Sequence, residues 1–156
     1  MARQCKIRIQ IASGAIQEAQ TAWGFHLMES DDTVVPPIRE YEAISFPESA
    51  AEEIHPYTKF EPFDYKCTLL CFGTLTTINS TVRTFFDSLF TITSGVDLRQ
   101  AKPITLYNDY KGVKVTGYAK SLEGQDYYPE VKEVEKGAYM FDFVLRVADP
   151  KTMAAL

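Results

Sequence analysis

The sequence predicts a mainly β protein of the α+β kind: an antiparallel β-sandwich or open barrel carrying one packed α-helix and a long extended arm. Three observations predict it. Apolar residues recur with period two in several short segments, the mark of half-buried strands. Only one stretch has helical spacing, whereas a doubly wound parallel fold needs several crossover helices. Between them, residues 30–63 gather proline and acid in place of either periodicity.

Cys5 to Ala12 opens the chain as a strand, with Cys5, Ile7, Ile9 and Ile11 on one face and Lys6, Arg8 and Gln10 on the other. Ser13 to Thr21 fits either a loop or a single helical turn capped by Ser13. Ala22 to Glu29 reads as the next strand, Trp23, Phe25 and Leu27 alternating with Gly24, His26 and Met28.

The character then changes. Residues 29–64 carry ten acidic side chains against Arg39 and Lys59, a local charge of −8 within a chain whose net charge is −5, so the rest sums to +3. Five of the eight prolines (Pro36, Pro37, Pro47, Pro56, Pro62) lie here and restrict the segment to extended, turn and edge conformations. It reads as an extended acidic arm over 30–63 with one or two edge strands, the weaker alternation of Ile38 to Phe46 marking one of them.

Asp64 to Thr74 follows as a central strand. The helix is expected over 79–91, capped by Asn79 or Ser80 and stopped at Ser94-Gly95, with Ile78, Val82, Phe85, Phe86, Leu89 and Phe90 forming its apolar stripe. Ile104 to Asn108 and Val113 to Ala119 flank a turn-rich connection and read as a hairpin. The polar stretch from Gly124 to Lys136 reads as a loop or ragged strand, Ala138 to Ala148 as a long closing strand, and residues 151–156 as a frayed tail.

At 156 residues and 17.6 kDa the chain is expected to form one domain spanning 1–156 with a core large enough to need neither metal nor disulfide. Acidity and the lack of a Lys or Arg run argue against specific nucleic-acid binding, which needs a basic stripe. No apolar run approaches a membrane span, and the N-terminus lacks a signal-peptide pattern, so a cytoplasmic origin is expected. Three cysteines make an odd count, the reverse of a secreted disulfide framework. Cys67 and Cys71, four apart on an extended strand, stand about 13 Å from one another, too far to share a metal or a disulfide. They read as buried structural thiols.

Chemistry is sparse. His26 and His55 lack metal-pair spacing and read as surface or interface residues. No phosphate loop, nucleophile elbow, dinucleotide fingerprint or calcium loop is present. The paired acids Asp31-Asp32 and Glu52-Glu53 point to opposite sides of an extended chain and do not form an acid/base pair. No catalytic, cofactor or metal residue is assigned, and the expectation is a protein that binds or assembles. A long arm inside a compact domain is usually functional. Its residues Glu40, Glu42, Glu48, Glu52, Glu53 and His55 are the candidates for an interface or, through repulsion of phosphates, a lumen.

Five segments carry a family resemblance: Phe63-Asp64-Tyr65-Lys66-Cys67-Thr68-Leu69; the helical Thr84-Phe85-Phe86-Asp87-Ser88-Leu89; Ile104-Thr105-Leu106-Tyr107-Asn108-Asp109-Tyr110; Gly112-Val113-Lys114-Val115-Thr116-Gly117-Tyr118; and Met140-Phe141-Asp142-Phe143-Val144-Leu145-Arg146-Val147-Ala148-Asp149-Pro150. With Trp23-Gly24-Phe25-His26-Leu27 before them, they resemble the N-terminal domain of siphophage distal tail proteins, a fold shared with phage tail-tube and tail-hub proteins. The resemblance implies a structural virion or prophage protein of a tail or tail-like particle, assembled as a ring, a hexamer being favoured. Its implied partners are copies of itself and tube, tape-measure and hub proteins, with DNA passing through but not specifically bound. It implies synthesis in the cytoplasm of a bacterial host, followed by incorporation into the particle. The chain ends at Leu156, without the carbohydrate-binding-like second domain that many distal tail proteins carry, which keeps tube, hub and adaptor roles equally open. The alternative is a stand-alone β-sandwich module that binds a peptide or carbohydrate.

Overall fold

The computed structural model describes residues 6–39, 43–45, 52–54, 59–93, 95, 98–129 and 136–156. Cys5, Glu40, Glu42, Glu48 and His55 lie outside them.

Strands β1 (Ile7–Ile11), β2 (Ile16–Glu18), β3 (Phe25–Ser30), β6 (Phe63–Thr74), β9 (Ile104–Asn108), β10 (Val113–Pro129), β11 (Lys136–Val147) and β12 (Ala154–Ala155) form one antiparallel sheet. Its order is β2-β1-β9-β10-β11-β6-β3, with β12 beside the start of β10. Two short hairpins stand apart from this sheet: β4 (Ala43–Ser45) with β5 (Glu52–Ile54), and β7 (Phe90–Ile92) with β8 (Arg99–Ala101).

The sheet folds on itself through β10. That strand pairs with β9 over Val113–Gly117 and with β11 from Tyr118 onward. Gly117 sits at the changeover, where a Cβ would stand 2.3 Å from the Arg146 carbonyl oxygen, so a larger residue would push β11 away. The two halves enclose a shared core. Ile7, Ile9, Leu106 and Val115 from one half meet Tyr65, Cys67, Leu69, Phe141, Phe143 and Leu145 from the other, all essentially buried. Asn108, the one buried polar residue among those described, ties the halves together: its Nδ2 donates to Tyr65 Oη at 2.9 Å and to Ser30 Oγ at 2.8 Å.

Alternation does what the sequence promised on β1, β6 and β11. Their odd-numbered residues are mostly buried and their even-numbered neighbours more exposed. The helix differs at both ends. α2 runs Leu75–Ser88, and its cap is Thr74, whose Oγ1 accepts from the Thr77 N–H at 3.2 Å. It stops six residues before Ser94, and Phe90 lies on β7, its ring 5.0 Å from that of Phe86. Ile78, Val82 and Phe85 bury its apolar stripe, and the Phe85 ring meets Trp23, Phe25 and Phe143 at 4.9, 5.1 and 5.6 Å.

Two further expectations are corrected, and one that stood open between loop and ragged strand is decided. The helical turn comes late in its window: α1 is Ala19–Trp23, preceded by β2, and Ser13 does not cap it. Trp23 therefore belongs to a helix, which Gly24 ends in a left-handed conformation (φ 71°) that glycine adopts without strain. The stretch from Gly124 to Pro129 is strand, a ragged one, since β10 carries register breaks after Ala119 and Glu123. The tail is tied down: Asp149 caps a 3₁₀ turn over Pro150–Thr152, and Ala154 and Ala155 pair with Lys114 and Val113.

Candidate assembly surfaces

One face of the β3-β6-β11-β10 half is spent on the core and α2. The opposite face stays open, because among the described residues no element packs across it. Its middle is acidic. Glu29 and Asp31, Asp126, and Asp142 line a cavity of about 600 Å³ with Lys66, Thr68, Met28 and Met140. Asp142 accepts from Thr68 Oγ1 at 2.6 Å and pairs with Lys66 at 3.3 Å, which leaves the other three carboxylates without a cation on the cavity wall. Sequence reasoning missed this cluster: its acids come from three strands and the turn after β3, separated by scores of residues. Only the register of β6 against β11 and β3 brings them together.

At one end the same face turns apolar. Phe72, Ala138 and Tyr128 are register partners across β6, β11 and β10. The outer rings, 59% and 51% exposed, stand two strand spacings apart, about 10 Å. They flank a cleft of about 510 Å³ floored by Gly73, Gly137 and Ala138. His26 also lies here, its ring edge-on to Phe72 at 5.4 Å, which makes it a surface residue of the open face. At the other end Asp64 accepts from Lys120 at 2.6 Å and from Arg146 at 3.0 Å, and those two bonds hold its carboxyl below the usual range.

A third feature lies between α2 and the irregular middle of β10. A groove of about 780 Å³ has Val82, Phe86, Leu122 and Tyr139 as its floor. Its lining includes Arg83 and Lys120 and, among the described residues, no carboxylate. The register break after Ala119 lies beside this groove, between Ala119 and Ser121.

The arm leaves the body as paired backbone. Ile38 bridges Phe60, Arg39 N–H donates to the Lys59 carbonyl at 3.0 Å, and Glu61 N–H donates to the Pro37 carbonyl at 2.8 Å. Farther out, β4 and β5 pair Ser45 with Glu52, Ile44 with Glu53 and Ala43 with Ile54. Two of the six candidate residues, Glu52 and Glu53, thus sit on a hairpin strand; Glu40, Glu42, Glu48 and His55 lie outside the described residues.

Catalytic chemistry finds no foothold in the thiols. Cys67 and Cys71 are buried on the inner face of β6, and burial pushes the Cys67 thiol up to about 12 and that of Cys71 up as well. Both are protonated, packed side chains, as their spacing suggested. Among the described helices none is long and apolar enough to cross a membrane.

No protein-family model matches the sequence, and no curated protein does either. Solved structures do. The SPP1 Dit protein, described as a paradigm of the hub adsorption apparatus in phages that infect Gram-positive bacteria, superposes on 92% of this chain with a TM-score of 0.54 at 15% identity. The chain covers 50% of that protein, so it spans half its length. This chain shares the fold of that half of the Dit protein. A subunit from the tail of an empty GTA particle, solved with C6 symmetry, is more distant, with a TM-score of 0.43 and 13% identity over 97% of this chain. The chain is thus similar in fold to a member of the group that the motifs from Phe63 to Pro150 resemble.

Proposed function

We propose that this protein is a structural component of a phage tail or tail-like particle, assembling as a ring of copies at the tube, hub or distal end of the tail. The observation that carries the reading is the fold shared with a hub protein of an adsorption apparatus over 92% of the chain. The arm supports it: a paired, proline-bearing excursion that leaves the sheet is suited to reach a neighbour, and a repeated head-to-tail contact closes rings. A hexamer is the favoured ring, with tube, tape-measure and hub proteins stacked against it. The role is structural and not enzymatic.

The acidic cavity of the open face, Glu29, Asp31 and Asp126 around Asp142, is the better candidate for a lumen wall than the arm. Carboxylates there repel phosphates, so DNA passes without binding. The arm acids Glu52 and Glu53, with Glu40, Glu42, Glu48 and His55, take the interface role. The protein is made in the host cytoplasm and ends in the particle.

The Phe72–Tyr128 cleft favours one second reading, a stand-alone module gripping a peptide or sugar between two rings. Light scattering with electron microscopy separates the two. Ring-shaped particles of one defined mass support the tail reading. A strict monomer from micromolar to millimolar concentration, with ligand-dependent quenching of tyrosine fluorescence, supports the module.

A further inference from the structure

We propose that the groove between α2 and β10 is the receptor for the acidic arm of a second copy of this chain. The inference rests on the assembly reading and names the contact that would close the ring.

Charge selects this groove. The arm region, residues 29–64, holds ten acids and two bases, whereas the remainder of the chain is net positive. The cavity of about 600 Å³ on the open face is walled by Glu29, Asp31 and Asp126 and would repel the arm. The groove is rimmed by Arg83 and, among the described residues, lined by no carboxylate. Arg83 is exposed and makes no ion pair among the described residues, so its planar fork is free to take a carboxylate in bidentate fashion. Lys120 holds Asp64 on the open face, so Arg83 is the cation that the groove offers.

Shape agrees with charge. At about 780 Å³ the groove is roomy enough for several side chains, and its floor of Val82, Phe86, Leu122 and Tyr139 is apolar. The hairpin register offers one apolar and one acidic residue as partners, Ile44 and Glu53. Apolar floor with charged rim is the usual anatomy of a protein interface: the floor supplies affinity, and the rim steers the partner and fixes register.

The contact is heterologous, so charge reversal tests it sharply. One variant carries Arg83→Glu; the other carries Glu52→Lys and Glu53→Lys. Mass photometry and sedimentation velocity follow each alone and the two mixed, with circular dichroism verifying the fold. Each variant alone should associate at least about tenfold more weakly than the parent chain. The equimolar mixture should recover association, because the acidic arm of one variant then meets the unaltered groove of the other. Added salt should weaken association of the parent chain, a reading that needs no variant. If the parent chain and both variants assemble equally well, the groove is not the receptor and the assembly reading survives. If the parent chain and the mixture are both monomeric at every concentration, the assembly reading falls and this contact with it.

Discussion

The two faces of the β3-β6-β11-β10 half contrast sharply, although the same strands build both. On the inner face Phe25, Tyr65, Cys67, Leu69, Phe141 and Phe143 find every neighbour they need within the chain, from α2 and the β1-β9 half. On the outer face Met28, Phe72 and Tyr128 stand more than half exposed beside an acidic hollow. The inner face explains why the chain folds. The outer face and the groove are surfaces that the described residues leave uncovered, and long exposed strands without a partner are a hazard.

The largest expected effect lies on a pair of phenylalanines. Phe85→Ala removes a ring that three other aromatics touch and should cost about 3–5 kcal/mol of stability, read as a lower urea midpoint. Phe72→Ala removes an equal ring from the open face and should change stability by no more than about 0.5 kcal/mol. Equal losses at both positions would erase the distinction between the faces.

Smaller, and sharper in its pH dependence, is the expected effect of Asp64→Asn. Bonds from Lys120 and Arg146 lower the Asp64 carboxyl in the folded protein. Its stabilisation is therefore complete above the ordinary carboxylate range and lost as pH falls through the lowered folded value. At this partly exposed site it should be at most about 1 kcal/mol at neutral pH. The gap between parent and variant should close on acidification and narrow with salt. A gap that widens toward low pH would contradict the ion-pair account.

Much of the inner face was legible in the sequence, because one buried side forces strict alternation on β1, β6 and β11. What escaped has local causes. The start of α2 was hidden by Thr74, Thr76 and Thr77, β-branched residues that read as strand or linker, although Thr74 is the cap. The length of β10 was hidden by its two register breaks, which interrupt period two where it would have been counted. The C-terminal pairing rests on two alanines, too short for any pattern. For the candidate surfaces, the acidity of the arm was visible as composition. The groove and the acidic hollow were not, since each joins residues far apart in the chain that only the β6-β11-β10 register and the packing of α2 bring together.

The central claim is that the inner core is complete in the single chain while the arm and groove await a second copy. Hydrogen exchange followed by mass spectrometry, at concentrations below and above assembly, tests it most directly. The account predicts that peptides covering 43–54 and 79–83 gain protection on assembly, while those covering 63–71 are slow throughout. Protection of arm and groove that does not change with concentration, or core strands that become slow only on assembly, would contradict it.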